Sequence, residues 1–191
     1  MRLRPRLAMM AALSLCLGTA AAGAAGEVTL GGPFHLIDQD GATRTEADFH
    51  GSYPLIYFGF THCPDLCPRS LGTMTAALGE LEQRAPDKAG RVVPILITVD
   101  PERDDAATMK SYIAAFHPRL VGLTGAPEEI ERVTRDYGAF YAPVPQQGGD
   151  YAMDHSGFIL FMGPAGEYLT HFESNVGAEE LAKELEQRIA P

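Results

Sequence analysis

The stretch Pro54-Leu55-Ile56-Tyr57-Phe58-Gly59-Phe60-Thr61-His62-Cys63-Pro64-Asp65-Leu66-Cys67-Pro68 decides the fold. From Pro54 to Phe60 the run is apolar and aromatic without alternation, as expected of a strand buried on both faces. After Pro68 the spacing changes: Leu71, Met74, Leu78 and Leu81 share one face of a helix that reaches Arg84. A strand that turns straight into a helix places two cysteines, Cys63 and Cys67, in the turn. Pro68 suits the first helical position, where its missing N–H costs nothing. Cys67 is then expected at or beside the helix cap, where the positive end of the helix dipole favours thiolate.

Working outward, strand-like runs recur at Phe34 to Asp38, Val92 to Val99, Leu120 to Leu123, Phe158 to Met162 and Glu167 to Phe172. Helical patterns cover Asp104 to Phe116, Pro127 to Tyr137 and Ala178 to Ile189. Strands alternating with helices predict an α/β protein with a central mixed β-sheet flanked by helices. The pair around Gly163-Pro164-Ala165-Gly166 reads as a C-terminal β-hairpin, and a helix follows it. A βαβ half followed by a ββα half is the thioredoxin-like plan. Tyr141 to Asp150, with Pro143, Pro145, Gly148 and Gly149, reads as a long surface loop running into Met153-Asp154-His155.

The N-terminal 26 residues differ in kind. Arg2, Arg4 and Arg6 precede an apolar run from Leu7 to Leu17 and then small residues to Gly26, the layout of a secretory signal peptide. Leu7 to Ala25 is also just long enough to act as an uncleaved N-terminal membrane anchor, which needs roughly 17 to 25 residues. Leu15 before Cys16 argues against acylation there. The reading is therefore 1–26 signal peptide or anchor and 27–191 one folded domain, with membrane proximity supplied by the leader. It places the domain in the periplasm, soluble or held at the outer face of the inner membrane. The 25 acidic residues outnumber the 15 basic ones, three of which sit in the leader. Such an acidic domain repels nucleic acid. With no obvious apolar stripe left over, it is expected to be a monomer.

With Cys16 in the leader, only Cys63 and Cys67 belong to the folded domain. Three residues between them exceed the two usual in dithiol oxidoreductases, yet the spacing allows a disulfide, a metal site, or both in turn. Among metals that suit thiolate pairs, iron-sulfur clusters and structural zinc ask for four ligands, whereas Cu(I) is content with two or three. A third ligand should be distant in sequence. His62 is expected to point away from the sulfurs, and His117, before Pro118, to serve at a helix end. His155, next to the closing hairpin, faces the cysteine turn in this fold; Met153 is a weaker candidate. Asp154 is a possible orienting partner for His155. Asp100 is read as ending its strand, with tuning of the site or contact with a partner as the functional alternative; Asp104 is read as capping the next helix, and Asp65 as an exposed turn residue.

Three separated motifs, Thr61-His62-Cys63-Pro64-Asp65-Leu66-Cys67-Pro68, Thr98-Val99-Asp100-Pro101-Glu102-Arg103-Asp104 and Asp154-His155-Ser156, resemble those of the Sco/SenC family, in the same order. The resemblance covers the chain from about Gly31 onward. It implies a thioredoxin fold that binds copper, as Cu(I) or Cu(II), through two cysteines and a distal histidine, here Cys63, Cys67 and His155. It also implies a role in assembling the binuclear copper centre of cytochrome c oxidase subunit II, with copper received from an upstream donor. Cys63 and Cys67 would form a redox-active disulfide when copper is absent.

Three rival functions share these residues. A thiol-disulfide oxidoreductase would use the same cysteines, but Ala152 to Phe158 lacks the proline that thioredoxin-type enzymes hold in cis there. A glutathione-peroxidase-like site would call on tryptophan, and the chain has none. Copper storage or redox sensing would leave the same sequence signature.

Overall fold

The computed structural model describes residues 29–146 and 148–190. The leader, its Cys16 and the choice between cleavage and anchoring lie outside the described residues. β1 (His35–Asp38) and β2 (Thr43–Thr45) lead through a 3-10 turn (Glu46–Phe49) into β3 (Tyr53–Gly59) and α1 (Leu66–Arg84). A single-turn α2 (Pro86–Ala89) precedes β4 (Val92–Thr98), α3 (Ala106–Ile113), β5 (Val121–Thr124) and α4 (Pro127–Asp136). The chain closes with β6 (Tyr141–Pro145), β7 (Tyr151–His155), β8 (Ile159–Met162), β9 (Tyr168–Phe172) and α5 (Ala178–Arg188).

Seven strands form one mixed sheet in the order β2-β1-β5-β4-β3-β8-β9. β3 and β4 run parallel with Ile56 opposite Ile95 and Gly59 opposite Thr98, while β8 returns antiparallel with Leu160 opposite Ile56. Every residue of β3 is buried, which explains its continuous apolar run: helices cover both faces of a central strand. The four residues expected on the inner face of α1, Leu71, Met74, Leu78 and Leu81, are all buried, and α1 packs against α5 through a core that includes Leu181 and Leu185. This is the mixed α/β, thioredoxin-like architecture that the alternation of strands and helices implies.

Several local expectations are corrected. The 141–150 segment is not a loop: Tyr141 pairs with His155 and Pro145 with Tyr151, forming an antiparallel hairpin with Gly148 and Gly149 at positive φ near its tip. The two prolines hid it, because they read as breakers although β6 has only one paired side and tolerates residues without an N–H. α1 starts at Leu66, so Pro68 is its third residue and Cys67 its second. Asp105, not Asp104, caps α3, accepting from the Thr108 N–H at 2.8 Å. His117 is buried, with Nε2 3.3 Å from Glu82, rather than displayed at a helix end.

Candidate metal centre

Cys63 lies half-buried in the turn after β3, and Cys67 is fully buried in the first turn of α1. Gly59 makes their approach feasible. A Cβ on that residue would stand 2.8 Å from the Cys67 sulfur and 2.8 Å from the Tyr57 ring, so only hydrogen fits. Backbone N–H groups surround the sulfurs: Cys67 N donates to Cys63 Sγ at 3.3 Å, and Phe60 N to Cys67 Sγ at 3.5 Å.

His155, the last residue of β7, brings Nε2 to 3.4 Å from Cys67 Sγ. Its Nδ1 is 2.9 Å from the Ser156 carbonyl oxygen. A carbonyl only accepts, so Nδ1 carries a proton, and in the neutral imidazole it is Nε2 that offers its lone pair toward the sulfurs. The imidazole is held edge-on between aromatic rings, 6.0 Å from Tyr57 and 5.6 Å from Phe60. One donor atom each from Cys63, Cys67 and His155 lies within 4.8 Å of the others, the one such group of three or more metal-type donors among the described residues.

The two thiols are electrostatically unlike. A hydrogen bond from the Cys67 side chain, backed by the N–H groups of Cys67 and Asp65, holds the Cys63 thiol down at about 4, against the opposing effect of partial burial. Cys67 is pushed above the ordinary thiol range, first by its hydrogen bond to the Cys63 sulfur and then by burial. The reduced, metal-free pair is thus one accessible thiolate beside one buried thiol. Iodoacetamide should therefore label Cys63 ahead of Cys67, at a rate that holds its plateau from neutral pH down to about 5, since thiolate is the nucleophile. A rate climbing steadily between pH 6 and 9, as for a free thiol of pKa ~8.5, would show that Cys63 is not activated.

Other candidates take different positions. His62 points outward, its Nδ1 3.1 Å from the Thr61 hydroxyl. Asp154 is exposed and does not orient His155; the Ser156 carbonyl does that. Met153 is partly buried and packs against the core. Asp65 is exposed and pairs with Arg69 along α1. No cis peptide occurs among the described residues.

One supporting residue escaped the sequence reading. Asp104 is buried, and its carboxylate accepts from the Thr61 N–H at 2.9 Å, the Thr61 hydroxyl at 2.5 Å and the Thr98 hydroxyl at 2.7 Å. It ties the cysteine turn to the end of β4. The signal was present in the two adjacent aspartates, Asp104 and Asp105: a helix start needs one cap, which leaves the other free for a second task.

Comparison with known proteins agrees with this geometry. A family model described as SCO1/SenC matches residues 22–190. The human mitochondrial protein SCO1 homolog is 40% identical over 169 residues, 87% of this chain and 55% of the relative. Overall the chain spans about half the length of the mitochondrial SCO1 homologs of human and Arabidopsis thaliana. The crystal structure of Arabidopsis thaliana ScoI with copper bound superimposes with a TM-score of 0.78 at 39% identity, covering 83% of this chain and 96% of that one. Bradyrhizobium japonicum ScoI with copper bound gives 0.76 at 42% identity, covering 83% and 98%. With a family model matched across almost the whole folded region and relatives at this identity, the chain belongs to the SCO1/SenC family.

Proposed function

We propose that this chain is a copper metallochaperone that holds copper through Cys63, Cys67 and His155 and delivers it to the binuclear copper site of cytochrome c oxidase subunit II. The observation that carries the reading is the convergence of two sulfurs and one imidazole nitrogen within 4.8 Å. Two soft thiolates with one nitrogen suit copper better than the hard divalent cations, and the set is too small for a closed zinc site or a cluster. Copper is cargo here, received from an upstream donor and passed on by ligand exchange, so half-buried Cys63 is the accessible end of the site.

In this reading residues 1–26 act as a signal peptide or membrane anchor and keep the domain in the periplasm, close to the membrane-bound oxidase. Asp65, Glu102, Asp150 and Asp154 are exposed on the turn, the loop after β4 and the hairpin. They favour a partner with a basic rim, and such an association weakens with salt.

The test is transfer. The reduced chain, loaded with copper, is mixed with the metal-free copper domain of oxidase subunit II, and metal is followed in both proteins after separation. One copper per chain, moving to the subunit in its binuclear form, is the expected result. A chain that binds no copper, or keeps it in the presence of the reduced subunit, would falsify the delivery reading.

A second reading rests on the low pKa of Cys63 beside the thiol of Cys67, a pair suited to attack and resolution in thiol-disulfide exchange. In it the dithiol reduces the subunit's copper-site cysteines and itself becomes the Cys63–Cys67 disulfide. The same experiment with an oxidised, copper-free subunit discriminates: free thiols appearing on the subunit as they vanish from this chain would favour reduction.

A further inference from the structure

Asp100 and Arg103 donate no atom to the three-residue group, yet they are as closely built as the core. Asp100 is 2% exposed, and its carboxylate accepts from Arg103 Nε at 2.5 Å and from the Tyr151 hydroxyl at 2.8 Å. Arg103 Nη1 donates to the Tyr151 carbonyl at 3.0 Å and to Asp150 at 3.3 Å. The same guanidinium lies 3.8 Å over the Tyr151 ring and 5.9 Å from the Phe60 ring. These contacts close a circuit from the loop after β4 to the first residue of β7.

What that circuit restrains follows from topology. β6 and β7 form a two-stranded sheet of their own, separate from the seven-stranded one. An isolated hairpin is marginally stable in water and takes its position from whatever it packs on. His155 stands at one end of β7 and Tyr151 at the other, so a link at Tyr151 sets how the strand lies. Arg103 also reaches Phe60, whose ring stands perpendicular to the His155 imidazole in the approach to the cysteine turn. One guanidinium therefore bridges the arm that carries the nitrogen and the turn that carries the sulfurs.

We propose that Asp100, Arg103 and Tyr151 form a clasp that positions the hairpin and so sets the approach of His155 Nε2 to Cys63 and Cys67. This rests on the copper reading above for its consequence, though not for its structural half. Arg103 is a positioning residue. Because Cu(I) is satisfied by the two sulfurs and Cu(II) requires the nitrogen, loosening the clasp weakens retention of Cu(II) and spares Cu(I).

The experiment uses the full chain with Arg103→Ala, Arg103→Lys and Tyr151→Phe, each alone and combined with His155→Ala. Hydrogen exchange on metal-free protein comes first. Arg103→Ala should speed exchange in 151–155 by about tenfold, the loss of charge-assisted hydrogen bonds, with β4 unchanged as the check on folding. Cu(II) release to a chelator should then quicken by about tenfold or more while Cu(I) retention stays within about twofold. Arg103→Lys keeps the charge but not the fork or the stack, and should rescue partially. Tyr151→Phe keeps the stack and should show a smaller effect of the same sign. In the His155→Ala background, Arg103→Ala should change copper handling no further. Unchanged exchange in 151–155, equal losses of Cu(I) and Cu(II), or an additive loss in that background would each overturn the clasp. Failure of the copper reading looks different: the parent and His155→Ala would then treat Cu(II) alike.

Discussion

His155→Ala is expected to leave a chain that still takes up one Cu(I) but loses Cu(II), whereas Cys67→Ser loses both. Disturbing a residue that merely orients a ligand typically costs roughly 10- to 100-fold in metal affinity, so removing a ligand itself should exceed about 100-fold. The two oxidation states differ because linear or trigonal thiolate coordination satisfies Cu(I), while Cu(II) seeks further, harder donors. The geometry makes the histidine's share separable, since Nε2 approaches from β7 while both sulfurs hang from the turn and helix after β3. Chelator competition in each oxidation state, with the thiolate-to-Cu(II) absorption band, measures the split. A His155→Ala chain that keeps both its Cu(II) affinity and an unaltered band would remove this residue from the ligand set and leave the hairpin without its proposed task.

Asp104→Ala should produce the largest loss of stability of any single polar replacement near the site. The carboxylate is completely buried and receives the Thr61 N–H, the Thr61 hydroxyl and the Thr98 hydroxyl. Removing it takes the acceptor from the fully buried Thr98 hydroxyl and from two part-buried donors on Thr61; at ~1–3 kcal/mol for each buried unsatisfied group, a loss of about 3–5 kcal/mol is expected. For a domain of this size that corresponds to a fall of roughly 10 °C in Tm. Asp104→Asn keeps the volume and one acceptor oxygen and should lose about half as much. Thermal unfolding of the metal-free chain checks both. Thr61 stands two residues before Cys63, so a loosened turn should also blunt the selective labelling of that thiol. A Tm within about 2 °C of the parent would mean that the bonds to Asp104 are replaceable.

The readability of this chain tracks how local each signal is. β3 and α1 were legible because burial on both faces and on one face leave different periodicities in a single run of residues. The cysteine turn followed from their junction. His155 was legible through the expected fold, which turns that end of the chain toward the cysteines, and through the resemblance of Asp154-His155-Ser156 to the family's motif; its residue type alone does not mark a ligand. The β6–β7 hairpin was not legible: Pro143, Pro145, Gly148 and Gly149 carry the composition of a loop, and the strands outside the main sheet have little apolar alternation to betray them. The parts played by Asp100 and Asp104 were equally hidden, because a carboxylate that serves a turn and one that joins three segments look the same in sequence. Only the fold shows that Thr61, forty-three positions away, needs the second kind.

Cys67 and His155 are 88 positions apart and meet because β8, which begins four residues after His155, starts opposite Tyr57 at the cysteine end of β3. A ribosome releases the two sulfurs long before the nitrogen. While the chain is still being made, or after it has been truncated short of residue 155, it can present a dithiol but never the three-donor set. An ion that requires all three donors binds the finished sheet alone and stabilises it by mass action, adding nothing to partial chains. Occupancy by such an ion would therefore count complete, correctly closed molecules, so that the cargo itself vouches for the carrier.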